Sequence, residues 1–362
     1  MVEVKMANFN KKITIAESIK DFGDIPYSRK MEERALYPYS DLNYLTGGIV
    51  CGTITAIVAD AGAGKTTMVS DIINRMLSDG DKVFAMFGEG TIKDQQDKMY
   101  RQMTPFGNNN YNYVTYQKNG KNTNIGSYFV DERSEEKVRE KTRGKLYLYD
   151  IRYGMTITDI SEAIDYAIDH YGVKYFVLDN ASQIETVSNA ETKELKDAFE
   201  ILRQKAIERE IGIIVLAHFR KQQDVSKFRR DMTEIIGTSA LSQKGVSVIS
   251  IIRMDYLDRN TPYFKSFARL MEENGWDLSQ KNKQGNYTIS SVAEVLKSRN
   301  GQLGFCCLGF NTITQTYFQI NKDGKDDKIV LHNEQNETKQ SIGNSGGLFD
   351  ELKQIDDGEL PF

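Results

Sequence analysis

The strongest constraint on this chain is the segment ADAGAGKT at residues 59–66, which lies between an apolar run and a helical pattern. This is the P-loop pattern with alanine in place of its first glycine, a change that a negative φ would tolerate. The glycines let backbone N–H groups point toward a phosphate, and a helix beginning here favours negative charge. Lys65 would reach the β- and γ-phosphates and Thr66 would ligand Mg²⁺, whereas the alternative is an incidental glycine-rich turn. We predict an ATP and Mg²⁺ site formed by Ala61, Gly62, Ala63, Gly64, Lys65, Thr66 and Thr67.

Three side chains at or just beyond the ends of apolar runs are candidates to complete this site. Asp179 ends the run YFVLD, where a P-loop protein needs a carboxylate for the metal, although such an aspartate is also a common turn former. Glu89 follows the run after the P-loop helix and is the candidate base, because strand C-termini in a parallel sheet face the ligand crevice. His218 ends another run, with an ordinary surface histidine as its alternative.

Short apolar runs alternate with helical patterns from Pro38 to Ile320. The runs are 53–59, 82–87, 146–150, 175–179, 211–217 and 246–252. Nearly continuous apolar runs of this length are typical of strands buried on both faces of a parallel sheet. Between them, apolar residues recur at helical spacing, as from Met68 to Leu77, with Gly80 as a predicted C-cap. The alternation predicts an α/β fold with a doubly wound, mostly parallel sheet and a C-terminal β-hairpin.

Composition divides the chain into four parts. We predict an N-terminal arm at 1–37, a core at 38–322, a flexible polar linker at 323–349 and an acidic tip at 350–362. A polar stretch at 258–287 interrupts the core and is interpreted as an insertion of undetermined structure.

Bulk properties exclude several classes of protein. The net charge is −4, from 47 Lys and Arg against 51 Asp and Glu, so any nucleic-acid surface must be local. Three cysteines, two of them adjacent, fit neither a disulfide framework nor a spaced metal site and are typical of a reducing cytoplasm. No run approaches the roughly 20 apolar residues of a membrane span, and the N-terminus has no signal segment. We expect a cytoplasmic protein without a membrane partner.

The P-loop, Glu89, VLDN at 177–180 and LAHFRK at 216–221 together resemble the RecA-like superfamily. More narrowly, they resemble the DnaB/Twinkle type of replicative helicase, including the helicase domains of phage primase-helicases. The segments at 39–59 and 237–253 are similar to that family's lead-in to the P-loop and to its loop and strand after the sensor histidine. KSRNG at 297–301 matches its K-x-R-x-G element. The resemblance covers about residues 39–320.

The resemblance implies a RecA-like fold and a role for each matching residue. Lys65, Thr66 and Asp179 become the nucleotide and Mg²⁺ residues, Glu89 the catalytic base, and His218 the sensor of the γ-phosphate.

The resemblance also implies assembly into a homo-hexameric ring. Arg299 would be an arginine finger, with Lys297 as its partner, both acting on the neighbouring subunit's nucleotide. The alternative for this pair is a solvated basic strand end.

A local basic cluster follows His218 and is the candidate surface for single-stranded DNA. In the family this loop lines the central channel and grips the sugar–phosphate backbone, which does not read sequence. Without the resemblance, the charged loop is explained equally well as a solvated surface. The predicted DNA-contacting residues are Arg220, Lys221, Lys227, Arg229 and Arg230, with Gln243 coupling nucleotide to DNA.

The acidic tip DDGELPF resembles the C-terminal tip of single-stranded-DNA-binding proteins, which recruits replication partners. Its terminal aromatic residue and carboxylate would enter a basic-rimmed apolar pocket, whereas the alternative is a solubilising tail. With 37 residues before the core, we expect neither a primase domain nor an N-terminal collar domain. The predicted partner-binding residues are Asp356, Asp357, Leu360, Pro361 and Phe362.

Three functions fit these patterns. The first is an ATP-driven hexameric replicative DNA helicase of phage or plasmid replication. The second is a RecA- or RadA-like recombination or annealing ATPase. The third is an ATP-switched scaffold that coats or loads DNA. Closed rings with directional strand displacement would distinguish the motor from the other two.

Overall fold

A computed structural model of the chain describes most of the predicted core. Within the described part, no helix has the length and apolar character needed to cross a membrane. The predicted acidic tip and linker, and all but the last four residues of the arm, lie outside the described residues. The described residues are 34–88, 91–104, 109–118, 120–149, 156–181, 184, 191–220, 229–235, 247–255, 257–282, 285–299 and 301–322.

Helices and strands alternate along the core. The helices are α1 (Ser40–Thr46), α2 (Lys65–Asp79), α3 (Ile92–Met103), α4 (Glu132–Thr142), α5 (Ile157–Tyr171), α6 (Glu191–Arg209) and α7 (Pro262–Glu273). The strands are β1 (Arg34–Ala35), β2 (Ile49–Val50), β3 (Thr53–Ala59), β4 (Val83–Phe87), β5 (Asn109–Lys118), β6 (Lys121–Val130), β7 (Leu146–Tyr149), β8 (Tyr175–Asp179), β9 (Gly212–His218), β10 (Ser247–Arg253), β11 (Ser291–Ser298), β12 (Gly304–Asn311) and β13 (Thr316–Gln319).

One mixed sheet of nine strands organises the molecule, in the order β13-β12-β11-β10-β3-β9-β8-β4-β7. The strands from β10 to β7 in this order are parallel, and β11, β12 and β13 continue the sheet in antiparallel fashion. The predicted α/β fold, its mostly parallel sheet and its C-terminal hairpin are confirmed.

Helices cover both faces of the sheet, so the sheet is doubly wound as predicted. On β3, Ile57 packs into the core cluster that contains α2, whereas its neighbour Val58 packs into the cluster that contains α5 and α6. Both side chains are fully buried. Burial on both faces explains why these strands are continuous apolar runs. It also leaves the ends of the strands as the places where polar side chains can reach a ligand.

The β5–β6 hairpin and α7 are among the elements that were not predicted from the sequence. The β5–β6 hairpin pairs Asn109 with Val130 and Lys118 with Lys121, and the sequence between the two strands is Asn-Gly, a dipeptide that favours tight hairpin turns. The stretch interpreted as an insertion contains α7, which Thr261 caps through a hydrogen bond from the Phe264 N–H. Its buried face packs around Trp276 in a third core cluster beside β11 and β12.

Candidate nucleotide-binding site

The phosphate loop connects the C-terminal end of β3 to the first residue of α2. Gly62 and Gly64 have φ angles of 74° and 95°, a region that residues with a Cβ rarely adopt. Ala59 is the last residue of β3 and is not among the residues with positive φ, so a methyl group is accepted at this position. Ala61 is exposed and Ala63 is buried, while Thr67 is half-buried in the first turn of α2. The loop therefore has the backbone form that phosphate binding requires.

Lys65 is buried at the start of α2, with its ammonium group directed back into the loop. Its Nζ donates to the carbonyl oxygens of Ala59 at 3.1 Å and Asp60 at 3.2 Å. It also lies 3.0 Å from His218 Nδ1. The side chain is 6% exposed, so this charge depends on nearby acceptors for its stability. The structure thus brings together two residues that are 153 positions apart in sequence.

The contacts of His218 define the protonation of its ring. Because a lysine ammonium can only donate, Nδ1 of His218 must accept, and the proton of the neutral ring is then on Nε2. The Asn180 side-chain nitrogen, Nδ2, lies 3.2 Å from Nε2. A protonated Nε2 needs an acceptor, so the Asn180 amide has to be turned to place its oxygen, and not Nδ2, at this contact. Lys65, His218 and Asn180 therefore form one connected network at the end of the sheet.

Thr66 and Asp179 form the second pair of the site. The Thr66 hydroxyl donates to Asp179 Oδ2 at 2.6 Å, and Asp179 is 7% exposed at the end of β8. A hydroxyl and a carboxylate in contact supply the hard oxygen ligands that Mg²⁺ prefers. Lys98, on α3, also interacts electrostatically with Asp179, and burial lowers the pKa of its ammonium. The residues present therefore fit a Mg²⁺–nucleotide complex.

A buried carboxyl group behind the phosphate loop was missed by the sequence analysis. Asp71 Oδ2 accepts a hydrogen bond from the Tyr39 hydroxyl at 3.1 Å and from the Tyr317 N–H at 2.8 Å. The Tyr317 hydroxyl in turn donates to the Ala63 carbonyl oxygen at 3.3 Å. A Cβ on Gly64 would lie 2.1 Å from that hydroxyl oxygen. The signal in the sequence was an aspartate on the apolar face of α2.

The ionisation of Asp71 gives a test of this network. Burial raises the pKa of Asp71 from 3.8 to about 7, opposed by hydrogen bonds from Tyr317 and Tyr39 and by the charge of Lys98. A raised pKa means that the folded state binds this proton more tightly than the unfolded state does. The contribution of the Asp71 proton to folding stability is therefore fully present below the pKa of the carboxyl group in the unfolded chain, and it is lost as the pH rises through about 7. Relative to Asp71→Asn, the free energy of unfolding should fall by on the order of 4 kcal/mol between about pH 4 and pH 7.5.

The measurement for Asp71 is chemical denaturation of both proteins across this pH range. Asp79→Asn is a matched control, because Asp79 ends the same helix and pairs with Arg75 at the surface. A difference between the unaltered protein and Asp71→Asn that does not change with pH would contradict the assignment.

Arg253 is a second residue that the sequence analysis missed. It ends β10, the strand beside β3, and its Nη1 donates to the Gly62 carbonyl oxygen at 3.3 Å. Its Nε also lies 3.5 Å from Asp255. A charged residue at the end of a parallel strand next to the P-loop strand is the signal that could have found it.

Lys297 lies level with the middle of β3, and Arg299 lies toward the opposite end of the sheet from the phosphate loop. Lys297 on β11 pairs with Val248, which pairs with Ala56, and β11 runs antiparallel to both of those strands. Ala56 precedes the end of β3 by three residues, or about 10 Å along the strand. Arg299 lies two residues further from the loop and is exposed, and burial together with Arg299 lowers the pKa of Lys297.

The predicted DNA-contacting residues differ in their surroundings. Arg220 is exposed directly after β9, whereas Arg229 makes a bidentate ion pair with the buried Glu294, the closest approach being 2.6 Å. Arg230 is 5% exposed, and its Nη2 donates to the Arg220 carbonyl oxygen at 2.6 Å and to Asp60 at 3.3 Å. Its ring contact with Phe219 and its ion pair with Glu234 also lie within the fold. In the described protomer, Arg230 is a buried cation and not a surface residue.

Several predicted residues lie outside the part of the chain that the structure describes. They are Glu89, Lys221, Lys227, Gln243, Asp356, Asp357, Leu360, Pro361 and Phe362.

The sheet order, the phosphate loop and the Thr66–Asp179 pair define a RecA-like P-loop ATPase. The family described as "DnaB-like helicase C terminal domain" matches residues 37–319. The chain therefore belongs to the DnaB-like helicase C-terminal domain family, a family of helicase-type ATPases. No curated protein matches the chain by sequence.

Solved structures share this fold. A DnaB-like replicative helicase, studied with its primase interactions, matches with a TM-score of 0.57 at 15% identity, over 78% of this chain and 60% of that chain. A second solved structure, an ATPase domain, matches with a TM-score of 0.56 at 15% identity, over 77% of this chain and 89% of that chain. The chain thus spans about three fifths of the replicative helicase that it matches.

Proposed function

We propose that this protein is an ATP-driven replicative helicase of phage or plasmid replication that works as a homo-hexameric ring on single-stranded DNA. The observation that carries the proposal is the placement of charge on the sheet. Lys65, Asp179 and His218 lie at the end where β3, β8 and β9 finish, whereas Arg299 lies toward the opposite end. A finger so far from its own phosphate loop is suited to act on the nucleotide of a neighbouring subunit.

Each residue near the phosphate loop has a distinct task in this proposal. Bound Mg²⁺ would neutralise charge that develops on the β- and γ-phosphate oxygens, and Thr66 and Asp179 would hold it. Lys65 would exchange its carbonyl acceptors for phosphate oxygens. That exchange would change its contact with His218, which is how the histidine would sense the γ-phosphate. Glu89 would orient the attacking water and accept its proton.

Contact with the DNA backbone is assigned to the exposed members of the basic cluster. Arg220 is exposed, and Lys221 and Lys227 are added from the sequence alone. Arg229 is also exposed and stays a candidate, although Glu294 already pairs with its guanidinium. Arg230 is excluded from this role because its charge is already paired inside the fold.

Two variants separate these roles of the basic cluster. Lys221→Ala with Lys227→Ala should reduce the slope of log affinity against log salt by about 0.7 for each phosphate that the protein no longer neutralises, with similar effects for all sequences. Arg230→Ala should leave that slope unchanged and instead destabilise the fold by about 1–3 kcal/mol, because the Arg220 carbonyl loses a buried donor. Fluorescence anisotropy at several salt concentrations and thermal melting provide the two readouts. An unchanged slope in the double variant would show that Lys221 and Lys227 belong to a solvated surface that does not contact DNA.

Electron microscopy tests the proposed function as a whole. The purified protein is imaged with a non-hydrolysable ATP analogue and single-stranded DNA, and strand displacement is measured on forked duplexes with ATP. The proposal expects closed six-membered rings and directional displacement. Helical filaments, or annealing without unwinding, would instead identify a recombination ATPase. DNA binding without either activity would identify a loading scaffold.

A further inference from the structure

A row of three lysines lies at the edge of the sheet where β4, β7 and β8 begin. Lys82, Lys145 and Lys174 immediately precede these strands, whose first residues are paired in register. Backbone hydrogen bonds from Val83 N to Lys145 O and from Lys174 N to Lys82 O join the three segments. Neighbouring strands lie about 4.8 Å apart, so the lysine row spans three adjacent strands. Lys82 and Lys174 are exposed, and Lys145 is half-buried.

An aromatic ladder, formed by Tyr147, Tyr166, His170 and Tyr171, lies beside the lysine row. Tyr147 stacks on Tyr171 with a centroid distance of 4.1 Å and an interplanar angle of 11°. Tyr166 stacks on His170 at 3.8 Å and meets Tyr171 edge-on at 5.9 Å. The His170 Nδ1 hydrogen-bonds the Tyr166 carbonyl at 3.0 Å, which orients the imidazole. Tyr166 is 54% exposed and Tyr171 is 38% exposed, so aromatic surface remains open to solvent.

Direct contacts hold the ladder and the row together. Lys82 Nζ donates to the Tyr171 carbonyl oxygen at 2.8 Å. The Tyr147 hydroxyl donates to the Gly144 carbonyl oxygen at 3.1 Å, next to Lys145. The two features therefore form one surface.

Two acidic residues near this surface are paired with arginines, and a third is partly buried. Asp79 pairs with Arg75 at 2.7 Å, and Asp169 pairs with Arg209. Burial and the charge of Asp79 raise the pKa of Asp81 to about 6, and Lys174 opposes this shift. The exposed Arg143 adds a further cation on the segment that leads into β7. The three lysines and Arg143 outnumber Asp81, so the surface carries local positive charge although the chain as a whole carries a net charge of −4.

We propose that the aromatic ladder and the lysine row form a second binding surface for single-stranded nucleic acid, with bases stacked on Tyr166 and Tyr171 and phosphates beside the lysines. Exposed aromatic rings next to a line of cations are the two features that single-strand binding without sequence preference requires. The surface lies at the opposite end of the parallel strands from the phosphate loop. Val83 is level with Thr53 through β8 and β9, and Thr53 precedes Ala59 by six residues, or about 20 Å along the strand. Binding there requires neither ATP nor the basic cluster after His218.

Photo-crosslinking locates this contact directly. The full-length protein is irradiated without nucleotide in the presence of single-stranded DNA carrying 5-iododeoxyuridine, and the crosslinked peptides are identified by mass spectrometry. We expect crosslinks in α5, at Tyr166 or Tyr171, that persist in the Lys221→Ala, Lys227→Ala double variant. Failure to crosslink α5 while other peptides crosslink would overturn the proposal.

Substitutions distinguish base stacking from a structural role of the rings. In the Lys221→Ala, Lys227→Ala background, Tyr166→Ala with Tyr171→Ala should weaken single-strand affinity by about 10-fold or more. Tyr166→Phe with Tyr171→Phe should retain it, because stacking uses the ring face. Tyr263→Ala is the matched control, since this tyrosine is 42% exposed on α7. Equal single-strand affinity of the alanine and phenylalanine variants would overturn the proposal, because the rings would then not stack on bases.

Discussion

Arg299→Ala is expected to bind ATP nearly as well as the unaltered protein and to lose turnover by about 10³-fold or more. The guanidinium would act chiefly when charge develops on the transferred phosphoryl group, so it contributes little to ground-state binding. The position of Arg299, toward the end of the sheet away from its own phosphate loop, is the structural reason to expect action on a neighbouring subunit. Titration of a fluorescent ATP analogue and measurement of phosphate release give the two quantities.

Mixed assemblies test whether Arg299 acts between subunits. Arg299→Ala protomers retain Glu89, and Glu89→Gln protomers retain Arg299, so a mixture contains some complete composite sites. Phosphate release should therefore recover partly on mixing. The Lys297→Gln variant tests the predicted partner of Arg299. We expect it to reduce phosphate release less than Arg299→Ala does. If mixed rings form but ATP hydrolysis does not recover, Arg299 does not act on the nucleotide of a neighbouring subunit.

Lys65→Ala and Glu89→Gln are expected to separate nucleotide binding from chemistry. Removing the Lys65 ammonium takes away the cation for the phosphates, so binding should be lost and turnover should fall by about 10²–10³-fold or more. Glu89→Gln keeps size and hydrogen bonding but cannot accept a proton, so binding should persist while turnover falls by about 10²–10⁴-fold.

The Lys65→Ala and Glu89→Gln variants need controls for folding and for nonspecific effects of a substitution. Lys65 is buried and bonded to two carbonyl oxygens, so thermal melting must show that the alanine variant remains folded. Lys93→Ala removes an exposed lysine from α3 and should change neither binding nor turnover. Normal hydrolysis by Glu89→Gln would mean that another residue is the base.

The phosphate loop and the strand-end residues were predictable because their signals are local. A strand, a glycine-containing loop and a helix are adjacent in sequence, and parallel strands bring their C-terminal ends to one edge. Asp179 and His218 could therefore be assigned to the same edge as Lys65 before any distance was known. The fold class followed from the same alternation of apolar runs and helical patterns.

The surroundings of the site were not predictable because they depend on distant pairings. Asp71 and Tyr317 are 246 residues apart, and nothing near either residue indicates the other. Arg230 looked like part of a surface run of charge, yet Asp60, 170 residues away, is among the groups that pair with it inside the fold. Charge alone does not show whether a side chain points to solvent. Patterns of composition likewise gave no signal for the core that α7 builds around Trp276.

The contact between Tyr317 and the phosphate loop leads us to expect that a fragment without β12 and β13 would not serve as an ATPase. A polypeptide ending just after Gly301 would contain every residue assigned here to nucleotide chemistry, including the K-x-R-x-G element. It would still lose β12 and β13, and with them the hydroxyl against Ala63 and the N–H on Asp71. Domain truncations should therefore extend past Ile320. In related sequences, the residue at position 317 should vary together with those at positions 64 and 71.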